Sequence, residues 1–237
     1  MSISLKRARA IFVKDYKEFS RNYAISIMLL FPIFFALILR SAPPSLLPGA
    51  IGIVLNTSFV ILTCFAQACL IAEEKERNTL RSLMMTPATT MDVIIGKSSL
   101  VFVMSAVVLA IATFILGFEP ASIWAFVAAM ILSIILYTAV GTICGLFSKT
   151  LLDASLSIIP VAIVFTSAPY GAFLVRDYPL FKVLDYMPSS QLVHLLGISN
   201  SGFATGELIK PLLIILAWTV VLTIVSVVLY KRRLKDE

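Results

Sequence analysis

Long apolar runs alternate with short polar segments along the whole chain of 237 residues. A helix needs about 20 residues to cross the hydrocarbon core of a bilayer. Six runs without a charged residue have about that length, and we expect each to form one membrane-spanning helix. The six predicted spans are residues 22–39, 51–72, 98–118, 122–147, 154–175 and 211–230. The pattern predicts an all-α integral membrane protein that forms a single domain over residues 1–237.

The second predicted span begins inside a longer apolar run, residues 41–72. Pro43, Pro44, Pro48 and Gly49 stand in the first third of that run. Because proline and glycine disfavour helix, we predict a loop there and a helix that begins near Ile51.

The segment before the first span, residues 1–21, has a different pattern. Its apolar residues recur every three or four positions, as they do on one face of a helix. They are Leu5, Ala8, Phe12, Tyr16 and Phe19. Basic residues occupy much of the other face, so we predict an amphipathic helix that lies on the membrane surface. The alternative is a solvated basic tail, although such a tail has no need of an aromatic stripe.

Three polar side chains interrupt the second span. Asn56, Thr63 and Gln67 are spaced by seven and four residues, which places them on one face of an α-helix. In lipid such side chains must meet protein or water. Two interpretations stay open: the face lines a substrate pathway, or it makes hydrogen bonds between helices.

The fourth span carries a regular series of residues that are small at every position except Tyr137. They recur every four positions and end in a Gly-x-x-x-Gly pattern. The series is Ala125, Ala129, Ser133, Tyr137, Gly141 and Gly145. Small residues at this spacing let helix backbones approach closely, so we predict a helix-packing face.

Composition supports the membrane assignment, and the charge distribution orients the chain. Hydrophobic residues make up 59% of the sequence and charged residues 14%, with a mean hydropathy of +1.00. With a cytoplasmic N-terminus, fifteen of the 19 lysines and arginines fall on the cytoplasmic side. The positive-inside rule therefore predicts that both termini are cytoplasmic, and it accounts for the net charge of +6 without a nucleic-acid partner.

The cysteines suggest no metal chemistry. Cys64, Cys69 and Cys144 fall inside apolar runs without a Cys-x-x-Cys spacing. We interpret them as small packing residues and expect neither a metal site nor a structural disulfide.

One polar stretch, residues 73–97, separates the second and third spans. It predicts two helical pieces on the cytoplasmic side. In the first piece, Glu73 is placed to pair with Arg77. Pro87 ends that piece, and Thr89 with Asp92 forms a capping box for the next helix. A charged helix held at a fixed distance below the bilayer is suited to binding another protein.

The same stretch ends in Gly96 and Lys97, which together with Ser98 match the last residues of a phosphate-binding loop. The first glycine of that motif is missing, since Met91 stands in its place. We expect Lys97 to snorkel from the membrane boundary into water. The chain has no other nucleotide motif, so we predict that it does not hydrolyse ATP alone.

Residues 176–210 form the longest segment between spans. Prolines and glycines divide it, yet its sequence SSQLVHLLGI is too apolar for a plain solvated loop. We predict one or two short re-entrant helices that dip into the outer leaflet, because irregular backbone at that depth must be buried or line a cavity.

The stretch EEKERNTLRSLMMTPATTMDVIIGK, residues 73–97, resembles the segment after the second span of ABC type-2 transporter permeases. The shared features are an acidic Glu-Lys-Glu cluster, a Thr-Leu pair, two leucines before Thr-Pro, and a Gly-Lys at the third span. Asn78 stands where the family usually has glycine. The sequence MPSSQLVHLLG, residues 187–197, is also similar to the segment before the family's last span. With six spans and both ends inside, the resemblance covers the whole chain.

This resemblance implies a non-enzymatic transport subunit of an ATP-driven exporter in the plasma (inner) membrane of a bacterium. It implies two copies of a separate ATPase subunit, which bind ATP and Mg, while this chain binds no cofactor. A second permease copy would complete a homodimer, or a sister permease a heterodimer. A coupling helix would sit in a groove of the ATPase. The residues assigned to this coupling are Glu73, Glu74, Glu76, Arg77, Leu80, Leu83, Thr86 and Pro87. The residues assigned to an external gate are Pro188, Ser189, Ser190 and Gln191.

The cargo is less defined by the sequence. Spans poor in charge favour a hydrophobic or amphipathic substrate, such as a drug in multidrug efflux, an antimicrobial peptide or a lipid-like compound. Export of polysaccharide, haem or ions stays open. A stand-alone secondary transporter or channel is an alternative, disfavoured because no predicted span contains Asp, Glu, Lys or Arg. A membrane sensor or assembly subunit without transport is a further alternative.

Overall fold

The computed structural model describes residues 4–41, 43, 46–76, 89–171, 178–198 and 205–236. Every regular element in these ranges is a helix. Five helices are long and apolar enough to cross a membrane. The predicted all-α membrane fold is therefore confirmed.

We number the main helices in chain order. They are α1 (Leu5–Arg21), α2 (Leu30–Leu39), α3 (Leu47–Glu76), α4 (Thr90–Leu116), α5 (Ile123–Phe147), α6 (Leu151–Ser167), α7 (Pro188–Leu196) and α8 (Thr205–Asp236). Short helical pieces extend some of them. These are Tyr23–Ser26 and the 3₁₀ turn Ile27–Leu29 before α2, the 3₁₀ turn Ala168–Tyr170 after α6, and the 3₁₀ helix Pro179–Tyr186 before α7.

The first predicted span, residues 22–39, is the shortest apolar helix of the set. It is divided into Tyr23–Ser26, the 3₁₀ turn Ile27–Leu29 and α2. Its apolar part, Ile27–Leu39, falls short of the length of the other five. The whole stretch rises about 25 Å, slightly less than the hydrocarbon core.

The helices α3 and α8 begin four and six residues earlier than predicted. The helix α3 starts at Leu47 rather than Ile51, with Pro48 in its first turn. Proline is tolerated there because the first backbone N–H groups of a helix have no partner within the helix. The last helix starts at Thr205 rather than at residue 211, so Pro211 lies inside it.

The central helix of the bundle is α3, which is buried along most of its length. It packs against α5, whose series of small residues is buried as predicted. A Cβ atom added to Gly141 would lie 2.3 Å from the carbonyl oxygen of Cys64, and one added to Gly145 would lie 2.7 Å from that of Ala68. The backbones of α3 and α5 therefore touch, which explains why these positions need glycine.

The helices define two ends of the bundle. The start of α4, the last residues of α3 and the turn between α5 and α6 lie together at one end, which we call the junction end. The 3₁₀ helix Pro179–Tyr186, α7 and the start of α8 lie at the other, which we call the distal end.

Candidate functional site

A cluster of charged side chains is buried at the junction end. The Nζ atom of Lys97 lies 3.0 Å from Oε1 of Glu74 and 3.2 Å from Oδ2 of Asp15. These three residues are 1%, 3% and 0% exposed. Lys14 lies at the rim, with its Nζ atom 3.2 Å from Glu74 Oε1. Two cations therefore balance two carboxylates in a site largely closed to water.

The predicted snorkelling of Lys97 is wrong. The helix α1 covers the side chain, so its ammonium group cannot reach water and instead binds carboxylates from α1 and α3. The signal that could have found this pair is Asp15, a carboxylate on the apolar side of α1. A buried charge of one sign requires a partner of the other.

Burial and charge perturb two groups of α1. Burial raises the pKa of Asp15, and the nearby Lys97 ammonium opposes that change without cancelling it. The pKa of Lys14 is also raised, because the carboxylates of Glu74, Asp15 and Glu18 outweigh the opposing effect of burial. Because both pKa values are raised, Asp15 and Lys14 bind their protons more tightly in the cluster than in water.

The close approach of α1 to α4 depends on Gly96. A Cβ atom there would lie 2.8 Å from Ile11 Cβ and 2.9 Å from the carbonyl oxygen of Ala8. In the Gly-Lys pair, Gly96 thus lets α1 approach α4 closely, and Lys97 binds Asp15 of α1.

The buried face of α1 differs in part from the predicted one. Its buried residues are Ala8, Ile11, Asp15 and Phe19. Of the predicted apolar stripe, Leu5 is 81% and Tyr16 is 55% exposed. The segment is a helix, and its protein-facing side shares Ala8 and Phe19 with the predicted stripe and also includes Asp15, which binds Lys97.

The beginning of α4 also binds the beginning of α1. The predicted capping box is present: Asp92 N donates to Thr89 Oγ1 at 3.1 Å, and Thr89 N donates to Asp92 Oδ2 at 2.9 Å. The Asp92 carboxylate also accepts from the backbone N of Ser4 at 2.8 Å and lies 3.3 Å from Nε of Arg7. One carboxylate therefore caps α4 and holds α1 on it.

The two residues after Glu74 bind α5 and α6. Lys75 Nζ donates to the carbonyl oxygens of Leu146 and Ser148, at 2.8 and 2.7 Å, where α5 ends. Glu76 Oε2 accepts from the backbone N of Leu151 at 2.8 Å, where α6 begins. Successive side chains of a helix point about 100° apart, so a Glu-Lys-Glu triplet can hold helices on several sides of α3.

We call residues 74–76, residues 89–97 and α1 together the charged junction. Of the residues assigned to ATPase coupling, Glu74 is buried in the ion cluster and is not available as a docking surface. Glu76 is exposed and caps α6, and Glu73 borders a polar cleft of about 470 Å³ with Glu18 and Arg21. The remaining assigned residues, Arg77, Leu80, Leu83, Thr86 and Pro87, lie outside the described residues.

The three polar side chains of the second span do not share one partner. Thr63 Oγ1 donates to Ser105 Oγ of α4 at 2.8 Å, and Gln67 Nε2 donates to Thr142 Oγ1 of α5 at 3.0 Å. A π-helical segment, Phe59–Cys64, lies between Asn56 and Gln67. Its wider turn changes the spacing around the helix, which a purely α-helical pattern does not anticipate.

Asn56 completes this set at the distal half of α3. Its Nδ2 atom donates to the carbonyl oxygen of Ser189 at 3.4 Å. Asn56, Thr63 and Gln67 are 2%, 0% and 1% exposed. These contacts lie inside the protomer and support hydrogen bonding between helices, the second of the two interpretations. Asn56 Oδ1 and Gln67 Oε1 are buried without a hydrogen-bond partner among the described residues.

The residues assigned to the gate form the buried first turn of α7. Ser190 Oγ donates to the carbonyl oxygen of Leu184 at 2.7 Å, and Gln191 Nε2 donates to that of Asp185. Both bonds tie α7 to the preceding 3₁₀ helix. Gly52 of α3 receives Val193 of α7, since an added Cβ would lie 2.9 Å from that side chain. The short helices are therefore packed onto the distal end of α3.

The bundle, the charged junction and the distal short helices are those of a multi-pass membrane protein whose central helix connects both ends. The family model described as ABC-2 family transporter protein matches residues 44–228. The chain belongs to this family, and it is a membrane permease of an ABC transporter rather than an enzyme. The family implies an ATPase partner. No curated protein matches the sequence.

Proposed function

We propose that this permease is the membrane-spanning subunit of an ATP-driven exporter. It works as a dimer, most simply of two identical copies, with two ATPase subunits that bind ATP and Mg. It resides in the plasma (inner) membrane of a bacterium, with the junction end in the cytoplasm. Family membership supports the transporter class, and the excess of basic residues at the junction end supports the orientation.

The charged junction is the observation that carries this proposal. The central helix α3 leaves the membrane at Glu76 and leads directly into residues 77–88, the predicted docking segment. The last side chains of α3 bind α1, α4, α5 and α6. A displacement of residues 77–88 by an ATPase would therefore move these helices together.

At the distal end, α7 and the 3₁₀ helix before it would act as the external gate. Asn56 connects this pair to α3, the same helix that ends in the charged junction. Movement of α3 would thus reach the gate through one continuous element. The proposed cargo is hydrophobic or amphipathic, because the predicted spans are poor in charge.

Copurification with the ATPase tests the proposal. Charge reversal in the docking segment, Arg77→Glu, should abolish binding of the ATPase and ATP-dependent export while the permease stays in the membrane. Lys149→Glu is the matched control, since Lys149 is an exposed cation at the same end and outside the assigned docking residues. Full ATP-dependent export by Arg77→Glu would contradict the docking assignment.

One observation bears on the alternative of a stand-alone secondary transporter. Glu74 and Lys97 lie inside the helices Leu47–Glu76 and Met91–Leu116, which are long and apolar enough to cross a membrane. They neutralise each other and lie at one end only, which is typical of a structural cluster. Transport by the permease alone, driven by a proton gradient in vesicles without the ATPase, would favour this alternative.

A further inference from the structure

A cleft lies between α4, α5 and α8 in the half of the bundle nearest the junction end. Both α4 and α8 pack on α5 but make little contact with each other, so a gap stays between them. Residues 135–142 of α5 line its floor, and residues 91–102 of α4 and 223–227 of α8 line its walls. Its volume is about 230 Å³.

The cleft is longest along α4. Its lining covers a rise of about 10 Å on α5 and about 6 Å on α8, and on α4, from Met91 to Phe102 eleven positions later, about 16 Å. This is about the depth of one leaflet of the hydrocarbon core. An extended chain of carbon atoms fits such a shape, whereas a helix with its side chains is about 10 Å wide and does not.

The chemistry of the lining is apolar. Seven of the twelve lining side chains are apolar, and three of the five hydroxyls donate within their own helices. Thr138 Oγ1 donates to Ile134 O, Thr142 Oγ1 to Thr138 O, and Ser226 Oγ to Thr223 O. Thr223 Oγ1 is buried without a hydrogen-bond partner among the described residues. The walls therefore offer mainly hydrocarbon contacts to whatever occupies the cleft.

The opening faces the surroundings of the bundle, and a cation stands at one end. Ile95 and Ile135, both in the lining, are 36% and 37% exposed. Lys231 follows Val227 by four residues and so continues the same face of α8 one turn toward the junction end. Lys231 is exposed, and no carboxylate of the described residues pairs with it.

We propose that this cleft binds one alkyl chain of an amphiphile whose anionic head lies at Lys231. The amphiphile is a membrane lipid or an amphipathic cargo drawn from the same leaflet. The site goes beyond the transporter assignment, because it requires only that α4, α5 and α8 cross a bilayer.

Photolabelling tests the site. The purified permease is placed in phosphatidylcholine nanodiscs that contain a phosphatidylglycerol probe with a diazirine in its acyl chain, or the matching phosphatidylcholine probe. Labelled peptides are identified by mass spectrometry. We expect labels in residues 91–102, 135–142 and 223–227. The anionic probe should label about fivefold more than the zwitterionic one, the factor that one lysine near the membrane surface supplies.

Ala139→Phe fills the floor of the cleft and should remove most of this labelling, and Ala139→Leu should reduce it with a smaller change in volume. Ile131→Phe is the matched control, because Ile131 lies two turns away on α5, is 41% exposed and does not line the cleft. Lys231→Gln should remove the preference for the anionic probe while acyl labelling persists.

Three outcomes would overturn the proposal: no labels in these peptides, equal labelling of both Ala139 variants and the control, or labelling of single copies that disappears in dimers. The third would show that a second permease copy covers the cleft. Addition of the ATPase and ATP separates the two sources of the amphiphile. ATP-dependent loss of bound probe indicates cargo, whereas probe retained under turnover indicates a resident lipid. Because labelling needs no ATPase, failure of the site and failure of the transporter assignment are distinguishable.

Discussion

The part of α3 from Gln67 to Glu76 is held by two different kinds of contact. At the junction end, buried ions connect Glu74, Lys97 and Asp15. Deeper in the bundle, neutral side chains make the contacts, as between Gln67 and Thr142. Removing one member of a buried ion cluster leaves an unpaired charge, whereas losing a neutral hydrogen bond in a membrane costs little. The comparison indicates that the junction holds its helices in one arrangement, while contacts deeper in the membrane can exchange more easily.

The largest expected effect tests the charged side of this comparison. Lys97→Met leaves Asp15 and Glu74 buried without their central cation, and we expect a loss of about 3–5 kcal/mol in the free energy of unfolding. Thermal unfolding of the purified permease measures it. Lys149→Met, at an exposed lysine of the same end, should stay within about 0.5 kcal/mol of the wild type.

A combined variant separates charge from packing at this site. Adding Asp15→Asn and Glu74→Gln to Lys97→Met removes the unpaired charges and should restore part of the lost stability. If Lys97→Met alone unfolds no earlier than the exposed control, the ion cluster does not stabilise the junction.

The next largest effect concerns the backbone contact between α3 and α5. Gly141→Ala would place a Cβ atom 2.3 Å from the carbonyl oxygen of Cys64, so α3 and α5 must separate. We expect a loss of about 1–3 kcal/mol, as for other overpacked sites. Gly49→Ala is the control, because nothing lies within 4 Å of an added Cβ there. Equal unfolding temperatures for both variants would contradict the tight packing.

A smaller effect tests the neutral side of the comparison. Thr142→Val keeps the shape but removes the acceptor for Gln67, and we expect a loss of about 0.6 kcal/mol. Thr113→Val is matched to it, since the Thr113 hydroxyl donates only to Leu109 O of its own helix. Export and ATPase stimulation should follow stability in both variants. A selective change in substrate response for Thr142→Val would instead support the pathway interpretation of this face.

The smallest effect is a pH dependence. Because burial raises the pKa of Asp15 above its ordinary value, the folded protein binds this proton more tightly than the unfolded chain does. Proton binding by Asp15 therefore stabilises the folded protein fully below the ordinary pKa of 3.8. This stabilisation is lost as the pH rises through the raised pKa of the folded protein. The difference in unfolding free energy between wild type and Asp15→Asn should therefore be most favourable to the wild type in acid and decline as pH rises. A difference that grows with pH would show that pairing with Lys97 outweighs burial.

Some features were determined by the sequence alone because they depend on neighbours along the chain. Apolar length predicts the membrane-crossing helices, and the spacing of Thr89 and Asp92 predicts their capping box. The small residues that end in Gly141 and Gly145 predict a packing face, since only small side chains let backbones touch. Each of these predictions uses only the spacing of residues along one helix and does not require knowledge of the helix that packs against it.

Other features were decided only by the tertiary structure. Lys97 stands at the start of an apolar run, where a lysine is expected to snorkel. It is buried because α1 covers it, and Asp15 of α1 is 82 residues away from Lys97 in sequence. Likewise, Asn56, Thr63 and Gln67 share a face of an ideal α-helix, but the π-helical turn between them directs them to three different helices. The physical reason is common to both cases: whether a polar group meets water, lipid or a partner depends on the helices packed around it, and periodicity along one helix does not specify them.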